Sequence, residues 1–450
     1  MTAEPYLLVN ARRHPRRDAL LTPGATLTWA ELHDRAAAAA AILRDRGVRA
    51  DDRVALALPA GAEFAVALHA TLLLGAAALP VDLRLAGDER DARIAAAGHV
   101  VDSPLEAGPA PPVGAPRRAG TARAQAFAAP RDDRIALVVH TSGTTSAPKL
   151  VELTWGNVTA NALGSALALG FDRAERWLCP LPLTHVGGLM VLLRSLVYGT
   201  TAHLLPAPFG TERANDALRQ GGVTLASLVP TMLSRMLDAG LERPPTLRAV
   251  LLGGAPSDPA LLGRAAAAGV PVAQTYGLTE ACSQVCTSAP GEPETAGWPL
   301  PGLTVELDAD GEILVSGPTV AGGGTLRTGD VGRIDARGRL TVVGRRADTI
   351  VTGGENVAPA EVEAVLLAHP AVADAGVFAR PDAEWGEAIA ARVVLRPGSA
   401  AGADELRAFC GERLAGFKVP KAIELADGLP RTASGKLLRR ELIAATSEAR

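Results

Sequence analysis

Between Val54 and Val81 the chain passes from an apolar run, Val54 to Leu58, through an alanine- and leucine-rich stretch, Glu63 to Leu74, to a second apolar run, Ala76 to Val81. The outer runs have the length of buried strands and the middle one the length of a helix. Strand, helix and strand in that order predict a parallel α/β layer. The alternation extends in both directions. Upstream, Leu27 to Arg46 predicts a helix capped by Thr28 and stopped near Gly47. Downstream, residues 83 to 97 and Gly187 to Tyr198 predict helices, the second carrying Arg194 inside an apolar run. Thr224 to Val229, Ala249 to Leu252 and Val272 to Thr275 predict buried strands. The second of these ends in Gly253-Gly254, a turn where backbone comes close to something else.

Two stretches break the pattern. From about Ser103 to Arg131, Pro, Ala, Gly and Arg dominate without period, as in a surface crossing. From Thr304 to Val343 short apolar runs are separated by Asp310-Gly311 and Arg337-Gly338, which predicts an antiparallel or barrel-like piece. Residues 345 to 450 then carry their own helices (Pro359 to Leu367, Ala403 to Arg413) and strands (Ala375 to Phe378, Ile389 to Val394), enough for a small domain. The expected fold is α/β. A large N-terminal domain of α/β layers with the β piece covers 1–344, and a small α+β domain covers 345–450.

A chain of 450 residues exceeds what one core supports. Its formal net charge of −3 gives no electrostatic case for nucleic acid or an anionic membrane, so a small-molecule substrate fits better. Four scattered cysteines do not make a disulfide framework, and Cys282 and Cys286 lack a second pair that would complete a metal site. The N-terminus has no secretory pattern and the longest apolar run is too short for a membrane span, so a soluble, cytoplasmic protein is expected. Oligomeric state stays open, with a homo-oligomer admissible.

Several polar segments carry the chemistry. His140 to Lys149 follows the apolar run Ile135 to Val139 and contains Thr141, Ser142, Gly143, Thr144, Thr145 and Lys149. Hydroxyls, backbone N–H groups and one ammonium suit a polyphosphate, although the same composition serves in a solvated connector. It lacks the spacing of a Walker P-loop. Glu280 closes Tyr276-Gly277-Leu278-Thr279-Glu280 just past a predicted strand, where open α/β sheets bind ligands. A carboxylate beside a phosphate loop would hold Mg²⁺, or it is simply a surface glutamate. Asp330 suits ribose hydroxyls or a turn cap, and Lys436 lies on a Gly/Ser-containing loop near the C-terminus.

Taken together, Thr141 to Lys149, Tyr276 to Glu280, Thr328 to Asp330, Gly344 to Asp348, Gly353 to Glu363 and Pro430 to Lys436 resemble, in order, the motifs of the adenylate-forming superfamily. That superfamily includes acyl-CoA synthetases, peptide-synthetase adenylation domains and luciferases. The resemblance implies two half-reactions. A substrate carboxylate attacks the α-phosphate of ATP to give an acyl adenylate and pyrophosphate, and a thiol then displaces AMP. It implies Lys436 for adenylation and Thr279 at the phosphate, with Mg²⁺ on Glu280. Asp330 would meet the ribose, Arg345 the ribose or phosphate, and Gly253, Gly254, Ala255 and Pro256 the adenine side. Thr275, Tyr276 and Gly277 complete the nucleotide set. It also implies a C-terminal lid that rotates about a hinge at 345–348, near Ala347, bringing Gly353, Gly354 and Glu355 over the site to line a path for CoA. Relatives usually carry Gly at the positions of Ser146 and Leu150, and Asp or Lys at that of Ala347.

Within the superfamily, Leu183 to Leu189, Leu193 to Gly199, Ala281 to Gln284 and Gly353 to Val357 are most similar to the o-succinylbenzoate-CoA ligases of menaquinone biosynthesis. Their acid has an aromatic ring and two carboxylates. The resemblance implies Arg194, Ser283 and Gln284 around the acyl group, and His185 in the pocket or at the thiol path. An arginine paired with a protein acid and a satisfied core histidine are the plainer alternatives. Another aryl- or short acyl-CoA ligase, or an enzyme that loads a carrier protein, shares the same motifs.

Overall fold

The computed structural model describes residues 4–85, 87–105, 127–141, 149–205, 207–242, 244–382, 385–431, 437–439 and 441–442. Two parallel-rich sheets organise the first three hundred residues. One has five strands, in the order His99–Val101, Arg53–Leu56, Ala77–Pro80, Ile135–Thr141 and Lys149–Thr154, with only the last pair antiparallel. The other has nine, and its centre is a parallel run from Val272–Leu278 through Ala249–Leu252, Leu225–Leu228, Arg176–Cys179 and Thr201–Leu204 to Asp18–Thr22. Antiparallel hairpins close both ends of it.

The helices Trp29–Asp45, Ala62–Leu73, Trp155–Leu169 and Val186–Tyr198 contribute to one continuous core with residues of both sheets. The cores are built largely from Ala, Val and Leu, which suits a chain with only 3% aromatic residues. A second core covers the opposite face of the larger sheet through Met232, Leu233, Met236 and Leu261. The helix Trp29–Asp45 begins where Thr28 and Glu31 exchange side-chain and backbone hydrogen bonds in a capping box, and Gly47 follows its end at φ +96°. None of the described helices is long and apolar enough to cross a membrane.

The antiparallel piece expected over 304–343 is a sequential meander of Thr304–Leu307, Glu312–Ser316, Thr325–Ile334 and Leu340–Arg345. Beyond it a five-stranded sheet is built on the long hairpin Val372–Asp382 and Gly386–Leu395, packed by the helices Pro359–Leu367 and Ala403–Gly411. Both strands run further than the apolar segments Ala375 to Phe378 and Ile389 to Val394 suggested, because cross-strand backbone bonding continues past the point where burial stops.

Two other boundaries differ. The helix expected over 83–97 is Gly87–Ile94, because Asp82 accepts from the backbone N–H of Arg84 and binds its guanidinium, which favours a turn before the helix. The strand placed at Val272 to Thr275 continues to Leu278. Tyr276 and Gly277 are therefore strand residues, held in an antiparallel hairpin whose polar partners were not visible as an apolar pattern.

Candidate active site

The hairpin of Val272–Leu278 and Ser283–Thr287 is the element around which the polar groups gather. Its connection is a short 3₁₀ turn, Thr279–Ala281, followed by two non-glycine residues at positive φ, Cys282 (+56°) and Ser283 (+94°). Such conformations are costly for residues with a Cβ and concentrate at functional sites. Gly277 is required here: a Cβ on it would lie 1.7 Å from the Ser283 carbonyl oxygen. The turn touches the strand Lys149–Thr154, so Glu280 lies beside the strand that follows the Ser/Thr loop. The Glu280 backbone carbonyl accepts from Ala321, while its half-buried carboxylate has no partner among the described residues.

On one side of the hairpin Tyr276 donates its hydroxyl to Asp330 Oδ2 at 2.7 Å, and Arg345 Nε holds Asp330 Oδ1 at 2.8 Å. Arg345 also donates to the Thr328 carbonyl, and Thr328 Oγ1 receives the Asp330 N–H. Burial, reinforced by the adjacent Asp330 carboxylate, pushes the Tyr276 phenol above its ordinary range, so it remains a donor. A cleft of about 490 Å³ opens against this group, lined by Thr328, Gly329, Arg345 and Ala347 among others.

On the other side is Arg194, completely buried on the apolar helix Val186–Tyr198. Its Nη2 donates to Asn161 Oδ1 at 2.7 Å and to Ser283 Oγ at 3.3 Å. The guanidinium carbon lies 5.4 Å from the centre of the Trp177 ring. Nε and Nη1 have no acceptor, and Arg194 forms no ion pair with a carboxylate among the described residues. Burial lowers its pKa, yet a guanidinium stays protonated, so this is a desolvated cation with spare donors. Gln284 is equally buried; its Nε2 donates to Thr287 Oγ1 and its Oε1 is unpaired.

The remaining residues singled out by sequence are spread around this centre. Thr275 Oγ1 donates to the Cys286 carbonyl and lies 3.1 Å from Thr287 Oγ1. Gly253 packs so closely on Thr275 that a Cβ would meet Thr275 Cγ2 at 2.8 Å, and Gly254 follows at φ +83° in the turn leading to Ala255 and Pro256. His185 precedes the first turn of the Arg194 helix. Burial holds its imidazole below the ordinary value, with Asp82 opposing and Arg84 reinforcing the shift. Thr141 and Lys149 end paired strands, joined by Thr141 Oγ1 and the Lys149 carbonyl. Gly353 and Gly354 turn at positive φ ahead of Glu355, with Gly353 against the face of Trp385. Ser142, Gly143, Thr144, Thr145, Ser146 and Lys436 lie outside the described residues.

Sequence reasoning missed Asn161 and Trp177. Asn161 lies in an alanine-rich helix with no motif around it, and Trp177 sits in a strand that reads as ordinary core. Only the missing acid partner for Arg194 could have prompted a search for other acceptors.

The family model for AMP-binding enzymes matches residues 7–323, and that for the AMP-binding enzyme C-terminal domain matches 361–436. The chain belongs to the AMP-binding enzyme family. Its relatives include the 2-succinylbenzoate--CoA ligases of Geobacillus kaustophilus, 39% identical, and Bacillus subtilis, 37% identical, each alignment covering 98% of both chains. Among solved structures, the o-succinylbenzoate CoA synthetase of Bacillus subtilis in complex with the acyl-adenylate intermediate superposes with a TM-score of 0.87 at 35% identity, over 98% of both chains. The same synthetase in complex with ATP and magnesium ion gives a TM-score of 0.85 at 34% identity, over 98% of this chain and all of that one. As an AMP-binding enzyme, the chain thus shares its α/β architecture with these solved structures over 98% of its length.

Proposed function

We infer that this chain is an ATP-dependent, AMP-forming acid–CoA ligase that converts o-succinylbenzoate to o-succinylbenzoyl-CoA. The observation that carries the choice of acid is Arg194, a buried cation beside the proposed adenylation hairpin, two of whose nitrogens have no acceptor among the described residues. A substrate with one carboxylate to react and another to be held would supply the missing anion. Ser283 and Gln284 add polar contacts at that end, and His185 borders the acyl pocket. Near-full-length relatives named for this activity support the same reading.

In the first half-reaction an oxygen of the reacting carboxylate attacks the α-phosphorus of ATP and pyrophosphate leaves. Negative charge builds on the phosphoryl oxygens, and groups fixed in advance stabilise it without reorganising. Thr141, Ser142, Gly143, Thr144, Thr145 and Lys149 surround the phosphates in this account, Thr279 touches them, and Lys436 supplies an ammonium to the transition state. Gly253 to Pro256 and Thr275 to Gly277 border the base, and Asp330 and Arg345 meet the ribose side. The Glu280 carboxylate, without a partner among the described residues, fits Mg²⁺, which would neutralise phosphate charge and takes few protein ligands when phosphates supply the rest.

In the second half-reaction the CoA sulfur attacks the acyl carbon and AMP leaves. The proposed lid, 345–450, turns on 345–348 relative to 1–344, so that Gly353, Gly354 and Glu355 line the pantetheine path. Four free cysteines, all buried, fit a reducing cytoplasm.

The test is mass-spectrometric detection of CoA esters from ATP, Mg²⁺, CoA and a panel of o-succinylbenzoate, benzoates and short fatty acids. Selective o-succinylbenzoyl-CoA is expected. Product only from another acid would overturn the choice of acid, and an adenylate that reacts only when a carrier protein is added would overturn the CoA assignment.

A further inference from the structure

Asn161 occupies the point where the buried arginine meets the hairpin. Its side chain is fully buried on the helix Trp155–Leu169. Oδ1 accepts from Arg194 Nη2 at 2.7 Å, and Nδ2 donates to the Gln284 carbonyl at 3.0 Å. The amide orientation is fixed by chemistry, since a guanidinium only donates and a carbonyl only accepts. Turning the amide over would set two donors and two acceptors against each other. Asn161 is therefore a clamp with one jaw on the cation and the other on the backbone of the strand that carries Ser283 and Gln284.

The chemistry of the clamp matters as much as its shape. Asparagine is neutral, so it holds one edge of the guanidinium without cancelling its charge. Aspartate at this position would accept the same hydrogen bond and form a buried ion pair. The arginine would then have its carboxylate inside the protein, and an incoming carboxylate would meet a neutral pair. Ser283 Oγ, also neutral, accepts at 3.3 Å on the same Nη2. Among the described residues the donors left open are Nε and Nη1, which lie on different edges of the guanidinium, so each can give a hydrogen bond to an oxygen of an incoming carboxylate.

We propose that Asn161 is a positioning and specificity-determining residue: it orients Arg194 through Nη2, leaves a donor, Nε or Nη1, for the distal carboxylate of a dicarboxylic acid, and keeps that subsite positively charged. The assignment rests on the proposed function above, in which Arg194 faces the acyl substrate. In that reading Asn161 acts through Arg194 and not on the reacting carboxylate or on ATP. Its effect is confined to the affinity and choice of acid.

Two isolated variants of the full chain test this. Asn161→Asp keeps the size and the acceptor, supplies the arginine with an internal carboxylate, and removes one donor. Asn161→Ser keeps a neutral group able both to accept and to donate. Steady-state CoA-ester formation is measured with o-succinylbenzoate and with an aromatic acid lacking the succinyl carboxylate, and thermal unfolding of each variant is followed alongside. Asn161→Asp is expected to raise KM for o-succinylbenzoate at least about tenfold, a change of about 1.4 kcal/mol, while KM for ATP stays within about twofold. Its preference for the dicarboxylic acid should shrink by the same factor. Asn161→Ser, whose hydroxyl is too short to reach both partners, leaves the charge of Arg194 uncancelled but loosens it, and should raise KM for o-succinylbenzoate at least about threefold.

A folded Asn161→Asp enzyme with unchanged KM for o-succinylbenzoate, or with acid and ATP constants rising together, overturns the proposal. If Asn161→Asp does not fold, a folded Asn161→Ser enzyme decides: a reduced preference for the diacid supports the clamp, and a full preference with full stability overturns it. A wild-type enzyme that makes no CoA ester from o-succinylbenzoate overturns the functional reading itself, whereas wild-type activity with an indifferent Asn161→Asp overturns only the role of Asn161.

Discussion

Tyr276 and Asp330, 54 positions apart, meet through a 2.7 Å hydrogen bond from the phenol to Oδ2, which ties the end of the larger sheet to the β-meander. Asp330 is almost fully buried, so loss of a donor is not readily replaced by water. Tyr276→Phe is expected to destabilise the protein by about 1–3 kcal/mol and to raise KM for ATP more than KM for the acid. Urea unfolding and initial-rate kinetics check this. Unchanged stability together with unchanged ATP dependence would count against Asp330 as a prepared ribose acceptor.

Gly353 is at φ +58°, and a Cβ on it would meet the Trp385 ring at 2.7 Å. Gly353→Ala should therefore disturb the turn proposed to line the CoA path while leaving the hairpin around Glu280 alone. Pyrophosphate release in the absence of CoA is expected near the wild-type rate, and CoA-ester formation from the accumulated adenylate is expected to slow at least about tenfold. Equal loss in both assays would place the effect elsewhere.

Lys436 gives the converse separation. Lys436→Ala should abolish adenylate formation, with conversion of a chemically supplied adenylate to the CoA ester largely kept. Single-turnover measurements of each half distinguish the two, and parallel loss would remove Lys436 from its assigned role.

His69 is buried in the main core, its Nδ1 has no partner, and burial pushes its pKa down to about 4. The unfolded chain protonates this imidazole near its ordinary value while the folded chain does not. Stability should be fully present above about pH 6.5 and decline as pH falls towards 4, by up to about 1.4 kcal/mol per pH unit from this residue. His69→Leu should flatten the part of the pH slope between pH 6.5 and 4.5 in urea unfolding. An unaltered slope would contradict the desolvated state of His69.

The parts of the fold written in apolar periodicity were legible: the Val54 to Val81 unit, the capped helix after Thr28, and the helix Pro359–Leu367. Strand ends were less so. Tyr276 and Gly277 belong to a strand because of backbone pairing with Cys286 and Gln284, and nothing in local hydrophobicity announces a partner. Within the candidate site, motif residues such as Asp330 and Arg345 come together across the meander and join Tyr276. Asn161 and Trp177 were invisible because their roles are defined by Arg194, which lies 33 and 17 positions away in sequence. A buried cation is informative from sequence, but its neighbours are chosen by packing.

The central claim is that Arg194 holds the second carboxylate of the acid, and the most direct measurement is kcat/KM of Arg194→Leu for o-succinylbenzoate beside an aromatic acid without the succinyl carboxylate. Replacing a buried cation that has no carboxylate partner among the described residues by an apolar side chain should leave the protein folded. The account predicts a fall of at least about thirtyfold for o-succinylbenzoate, corresponding to about 2 kcal/mol for a lost buried charge pair, and little change for the other acid. An unchanged value for o-succinylbenzoate, or equal losses on both acids, would contradict it.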